Sequence, residues 1–221
     1  TMPRMARLVV PGLPHHIVQR GSRRQRTFFS DADYLAYLNL VRDNLADAGV
    51  SVWAYCLMPN HVHLVAVPKR EASLAAWLRV VHHRHARRVN AAQGWTGHLW
   101  QERFHSCVLD EAHLLAAVRY VELNPVRAGI CERPEVWRWS SARAHLSGKS
   151  DRVVDVRPML ERIRDWRRYL GADDEPEALS RLRSHSRSGR PAGSAEFVAE
   201  LERVTGRRLR TRKRGPRPRN K

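Results

Sequence analysis

A chain of 221 residues that is 43% hydrophobic can bury a real core, so wholesale disorder is excluded and the expected scale is one domain with an extension, or two small domains. A formal net charge of +18 points to a polyanionic partner, nucleic acid first and an anionic membrane surface second, although 36 of the 40 basic residues are arginine, a bias that a GC-rich genome also produces. No run of 18 apolar residues occurs, the start TMPRMARLVVPGLP is too short and proline-broken for a signal peptide, and Cys56, Cys107 and Cys131 form no spaced pair, which fits a reducing cytoplasm.

Six arginines and no acid precede Asp31. HHIVQRG (15–21) reads as a strand. DADYLAYLNLVRDNLADAG (31–49) reads as a helix, with Ser30 or Asp31 as N-cap and Gly49 at its C-terminal end. VSVWAYCLM (50–58) is a strand ended by Pro59-Asn60, and HVHLVAV (61–67) is a second strand, antiparallel to it given so short a connection. EASLAAWLRVVHHRHARRVNAAQG (71–94) is an amphipathic helix stopped at Gly94, and HLWQERFHSCVL (98–109) is a strand. DEAHLLAAVRYVELN (110–124) is a helix capped by Asp110 and stopped by Pro125. This order predicts an α+β domain with helices packed on an antiparallel sheet. Beyond Cys131, PEVWRWSSARAHL, DVRPMLERIRDWRRYL, EPEALSRLRSHS and GSAEFVAELERVTG read as short helices, with DRVVDV the one strand candidate. The predicted organisation is a domain over 1–131, a helical extension over 132–205 and a basic, disordered tail over 206–221, since residues 203–221 hold ten Lys or Arg and no acid.

Two His-x-His pairs occur, His61/His63 and His83/His85. On a strand, residues i and i+2 share a face, so His61 and His63 sit side by side and can share one metal ion while Val62 faces the other way. The alternative is a pair of hydrogen-bonded sheet histidines. On a helix, i and i+2 lie about 200° apart, so His83 and His85 cannot chelate together. They are expected on the wet, basic face with Arg84, Arg87 and Arg88. Val65 argues against the HxHxH pattern of nucleotide hydrolases.

Leu114, Val118 and Val121 define a core stripe on the helix over 110–124. Tyr120 and Asn124 are four apart and stack on a face about 100° from that stripe. They are either a half-buried boundary tyrosine and a helix-ending asparagine, or a phenol and an amide looking out together from one edge.

YCLMPNHVHLVAVP, WQERFHSCVL and LLAAVRYVELNPVRAGI, in that order, resemble the HUH single-tyrosine transposases of bacterial insertion sequences, and above all their domesticated branch, the REP-associated tyrosine transposases. PHHIVQRG with FFSDADYLAYL is similar to the family's opening, and SGRPAGSAEFVAELERVTGRRLRTRKRG to the C-terminal region of that branch. The resemblance covers about residues 4–145 and implies an RRM/ferredoxin-like HUH domain. It implies Tyr120 as a nucleophile on single-stranded DNA, leaving a 5′-phosphotyrosine and a free 3′-OH, with the covalent bond conserving the energy for rejoining. It implies a divalent cation, Mg²⁺ or Mn²⁺, held by His61, His63 and Asn124, and recognition of repetitive extragenic palindromic hairpins. Ligand softness alone favours Mn²⁺ or Zn²⁺, so Mn²⁺ is expected to support at least as much activity as Mg²⁺.

Under this resemblance Arg20, Arg23, Arg24 and Arg26, with Arg207, Arg208, Arg210, Arg212, Lys213 and Arg214, meet DNA phosphates. Trp95, Trp100, Phe104, Trp137 or Trp139 either stack on bases or pack in the core. Two further readings stand beside it: a hairpin-binding protein without relevant catalysis, and a metal-dependent hydrolase that uses water. A monomer acting in cis, associated with the nucleoid, is expected, with a dimer as the alternative.

Overall fold

The computed structural model describes residues 7–172 and 176–210. Four strands, β1 (His15–Arg20), β2 (Val50–Met58), β3 (His61–Pro68) and β4 (His105–Val108), form one sheet in the order β2-β3-β1-β4 with every neighbouring pair antiparallel. Helix α1 (Asp31–Asp43) follows β1, and α3 (Ser73–Gln93) follows β3, which completes the expected α+β, ferredoxin-like βαββαβ order. Helix α4 (Glu111–Glu122) follows β4 and lies on the opposite face.

The period of two along the strands sorts side chains into two cores. Ile17, Val62, Leu64 and Ala66 meet Tyr37, Val41, Trp77 and Val81 of α1 and α3. Val65, Cys56 and Cys107 meet Leu114, Val118 and Val121 of α4. In β2 the alternation slips at a bulge between Val52 and Ala54, so that Val50 and Val52, then Tyr55 and Leu57, face the first core. Val62 thus points away from the face that carries His61 and His63, as the strand spacing predicts.

Several elements differ from the sequence reading. The helix expected over 31–49 breaks at Asn44, whose side chain donates to the Leu40 carbonyl at 2.8 Å, and a short α2 (Leu45–Ala48) follows, closed by Gly49 at φ +63°. Ser30 is the N-cap, and the Asp33 carboxylate accepts the Phe29 and Ser30 N–H groups. Of the strand expected over 98–109, only residues 105–108 are strand; the chain before them crosses the sheet end, touching it through a Gly21–Trp100 bridge. Pro125 does not stop the chain's helical course but sits in the first turn of α5 (Asn124–Arg127), where no N–H is needed. His85 is fully buried rather than on the wet face, because it continues the apolar stripe of Leu74, Trp77, Leu78 and Val81; its Nε2–H donates to the Thr27 carbonyl at 2.8 Å. His83 is exposed.

After the family-like core come a 3₁₀ turn (Pro134–Val136), α6 (Ala142–Ser147), α7 (Arg157–Leu160), α8 (Trp166–Gly171), α9 (Pro176–Ser188) and α10 (Ala195–Thr205). DRVVDV forms a single parallel bridge, Val52 to Val154, and not a strand, because the Asp151 carboxylate takes the Val153 and Val154 N–H groups at 2.7 Å. Residues 206–210, expected to be unstructured, are docked: Leu209 is buried with Leu8, Val10 and Val108, and its N–H donates to Glu202 at 2.7 Å. The rest of that tail, with Arg212, Lys213 and Arg214, lies outside the described residues.

Candidate active site

The β2–β3 turn at Pro59-Asn60 delivers His61 and His63 onto the sheet face beneath α4. His61 stands opposite Arg20 of β1, and His63 opposite Val18. Their ring centroids are 4.9 Å apart. The Tyr120 ring meets His63 edge-on at 5.4 Å and His16 edge-on at 6.0 Å. Tyr120 is 9% exposed and Asn124, opening α5 one turn further on, is 8% exposed, so neither looks out to solvent. The cover comes from α9: the Arg183 guanidinium carbon lies 5.5 Å from the Tyr120 ring centre, and Arg127 of α5 lies 5.3 Å from it. Arg127 also donates to the Tyr120 carbonyl at 3.0 Å.

Burial is the main cause holding the site's imidazoles neutral. It pushes His16 down to about 4, and His61 to about 3 with help from the Arg20 charge. His63 is driven well below the usual histidine range by burial, then by His61, His16, Arg20 and Arg183. A neutral imidazole is the form that offers a lone pair to a cation.

The residues fit a cation on one specific ground. Asn60 Nδ2 donates to the Arg24 carbonyl at 3.0 Å, which fixes the amide, and His61 Nδ1–H then donates to Asn60 Oδ1 at 2.6 Å. His61 Nε2 therefore keeps its lone pair. His63 Nδ1 is engaged by His16 Nε2 at 3.0 Å, while His63 Nε2 is buried with no hydrogen-bond partner among the described residues. An orphaned imidazole nitrogen beside a second lone pair is what a divalent ion satisfies. Among the described residues no three His, Cys, Asp or Glu side chains gather as a metal site, so the third protein ligand, if Asn124 supplies it, is an amide.

Four arginines expected near DNA are placed by the same turn. Gly21 N–H donates to the Asn60 carbonyl at 2.9 Å, and a Cβ at Gly21 would meet the Gln25 carbonyl oxygen at 2.4 Å, so only glycine fits there. The following residues, Arg23 and Arg24, take φ of +51° and +61°, the left-handed region that side chains rarely adopt. Arg23, Arg24 and Arg26 are exposed, and Arg20 is half-buried with its charge close enough to feel Tyr120. The second cluster sits elsewhere: Arg207 is half-buried and donates to the Arg7 carbonyl at 3.1 Å, Arg210 is exposed and pairs with Glu202 at 3.3 Å, and Arg208 is exposed. Of the aromatic candidates, Phe104 and Trp139 are core, and Trp100 and Trp137 are tied by their indole N–H groups to the His82 and Leu57 carbonyls. Trp95 is exposed and edge-on to exposed Phe29 at 5.6 Å.

Sequence reading missed His16, Asn60, Arg127, Arg183 and also Ser186, whose hydroxyl on α9 lies 2.7 Å from His16 Nδ1. His16 and Asn60 stood in quoted motifs without a role, and Arg127 in the block after Tyr120. For Arg183 and Ser186, inside a polar helix far along the chain, no local signal exists.

The model of the family described as "Transposase IS200 like" matches residues 9–124, just over half of the chain. This chain belongs to that family. The match spans the whole βαββαβ core and ends at Asn124, so the IS200-like segment carries His61, His63, Tyr120 and Asn124 but neither Arg127 nor α9. No curated protein matches the sequence. Among solved structures, the REP-associated tyrosine transposase bound to a REP hairpin is similar in fold, with a TM-score of 0.57 and 19% identity over 70% of this chain and 93% of that one. A Deinococcus radiodurans protein assigned as a transposase aligns over 54% of this chain and 96% of its own at 21% identity and a TM-score of 0.38. No helix among the described residues is long and apolar enough to cross a membrane.

Proposed function

We propose that this IS200-like transposase cleaves and rejoins single-stranded DNA through a 5′-phosphotyrosine at Tyr120, acting beside a DNA hairpin of the repetitive extragenic palindromic type. The observation that carries the reading is the Tyr120 ring edge-on to His63 at 5.4 Å, whose buried Nε2 has no hydrogen-bond partner among the described residues, with His61 alongside. His61 Nε2, His63 Nε2 and the Asn124 amide oxygen would hold the cation, Mg²⁺ or Mn²⁺. When bound, it polarises the scissile phosphate and offsets the charge of the transition state.

The chain's own residues do the rest. The Tyr120 hydroxyl gives up its proton as its oxygen attacks phosphorus, the bond to the 3′ oxygen breaks, and that oxygen takes up a proton and leaves as a 3′-OH, so no net proton is gained or lost. In rejoining, a 3′-OH attacks the phosphotyrosine and Tyr120 recovers its proton. Arg183 and Arg127, each with its guanidinium carbon within 5.5 Å of the Tyr120 ring centre, favour a phosphate there. The exposed Arg23, Arg24 and Arg26, tethered to the Asn60 turn, track the backbone leading into it. Exposed Trp95 and Phe29 offer a surface on which an unpaired base stacks. The hairpin component rests on family membership and on the fold shared with a hairpin-bound protein.

The test mixes the protein with single-stranded oligonucleotides carrying genomic palindromes, in Mn²⁺ or Mg²⁺, and resolves products on a denaturing gel. A covalent protein–DNA adduct is expected, lost in Tyr120→Phe while hairpin binding survives, with Mn²⁺ at least as effective as Mg²⁺. Cleavage without an adduct, little changed in Tyr120→Phe, would mean that water is the nucleophile. Hairpin binding with no cleavage of any such substrate would leave a binding protein. Activity with Zn²⁺ alone would show the ligand set to be wrong.

A further inference from the structure

His16 lies one diagonal step from His63 on the same sheet face, since its register partners are Val65 on β3 and Cys107 on β4. The two rings are parallel within 5° with centroids 5.3 Å apart. Both nitrogens of His16 are engaged. Nε2 faces His63 Nδ1 at 3.0 Å, and Nδ1 faces the Ser186 hydroxyl of α9 at 2.7 Å. His16, His63 and Ser186 are all buried. Ser186 stands outside the segment that matches the family.

Two ring nitrogens 3.0 Å apart are one donor and one acceptor, so neutral imidazoles permit only two proton arrangements. In the first, the Ser186 hydroxyl donates to His16 Nδ1, His16 Nε2–H donates to His63 Nδ1, and the His63 proton sits on Nε2. That strands a buried N–H donor, the costlier kind of orphan, in the place a cation would occupy. In the second, His63 Nδ1–H donates to His16 Nε2 and His16 Nδ1–H donates to Ser186 Oγ. The Ser186 hydroxyl proton then turns toward Cys107 Sγ, 3.6 Å away, and His63 Nε2 keeps a lone pair. His61 already has this form, fixed by Asn60.

We infer that Ser186 and His16 hold His63 as its Nδ1–H tautomer with Nε2 open for a cation, which makes helix α9 a positioning element of the metal site. The inference rests on reading His61 and His63 as cation ligands. It assigns Ser186 and His16 no contact with DNA and no part in bond making. Their effect passes through the orientation and basicity of one ligand.

Two readouts test it, neither depending on cleavage. Nuclear magnetic resonance of the full-length, metal-free protein with ¹⁵N-labelled histidine reports which ring nitrogen carries each proton, with His63 assigned by His63→Gln. A proton on His63 Nδ1 is expected; one on Nε2 overturns the inference. Mn²⁺ titration followed by electron paramagnetic resonance is the second. Ser186→Ala is expected to weaken Mn²⁺ binding about 10-fold, Ser186→Thr to restore it, and His16→Phe to weaken it at least as much. Wild-type affinity in Ser186→Ala also overturns the inference, and this variant serves even where His16→Phe does not fold. If the wild-type protein binds no Mn²⁺, the metal reading fails, and the tautomer spectrum still decides whether the relay exists.

Discussion

Histidines away from the site obey the same physics as those within it. Burial pushes His15 down to about 4, His82 to about 3 and His85 to about 4. Each makes a hydrogen bond as a neutral ring: His15 Nδ1–H donates to the Leu13 carbonyl at 2.8 Å while its Nε2 accepts the Val10 N–H at 3.2 Å, His82 shares a 3.0 Å bond with the Tyr37 hydroxyl, and His85 donates from Nε2 to the Thr27 carbonyl at 2.8 Å. A folded-state pKa below the unfolded one means that the unfolded chain binds more protons in acid. The stabilisation is therefore complete above about pH 6.5, the unfolded value, and drains away as pH falls towards about 4. Shifts of this size correspond to roughly 3 to 5 kcal/mol per residue, at about 1.36 kcal/mol per pKa unit. Without metal, Tm is expected to decline steadily from pH 6.5 to 4.5. A Tm that stays level across that window would show these rings to be protonated or open to water in the folded protein.

At the level of elements, α4 is seated by one buried carboxylate. Glu122 is fully buried and accepts from Ser141 Oγ at 2.6 Å, His145 Nδ1 at 2.6 Å and Trp166 Nε1 at 2.9 Å. These donors lie on the loop before α6, on α6 and on α8, so Glu122 fastens the tyrosine helix to the chain beyond residue 131. Glu122→Ala strands two buried donors, His145 Nδ1 and Trp166 Nε1, while Ser141 Oγ keeps the Tyr55 carbonyl at 3.3 Å, and is expected to cost about 3 kcal/mol in urea unfolding. A loss below about 1 kcal/mol would mean that packing alone seats α4. The sequence spelled out the elements that follow simple periods. The βαββαβ order, the shared face of His61 and His63 and the opposite face of Val62 all come from strand alternation, and the ends of α3 and α4 from Gly94 and Asp110. It was silent where tertiary contact overrides local pattern. Glu122 looked like any polar helix residue, His85 lay among arginines, and Tyr120 read as either a boundary residue or one looking out, because α9, which covers it, is some sixty residues further along.

Across the whole molecule, the segments after residue 131 close both open edges of the sheet. Along β2, Leu57 N–H donates to the Trp139 carbonyl, Ser141 N–H to the Tyr55 carbonyl and Asp155 N–H to the Val52 carbonyl, each at 2.9 Å. Along β4, Ala192 N–H donates to the Val108 carbonyl at 2.8 Å and Asp110 N–H to the Ala192 carbonyl at 3.0 Å. Trp139, Val153 and Val154 complete the core under α1 and α3, while Met159, Trp166, Leu170, Leu182 and Ala192 complete the one under α4. A chain cut at residue 131 would present two unpaired strand edges, expose both cores and leave Glu122 without its donors, each a recognised route to association between edges or to a loosened core. Such a fragment is therefore expected to aggregate, or to keep far-UV circular dichroism while losing near-UV signal and a cooperative melt. A soluble fragment with a sharp thermal transition would show instead that the ferredoxin-like core stands alone. In that event the extension would serve only to cover Tyr120 and to place Ser186 and Arg183 beside the site.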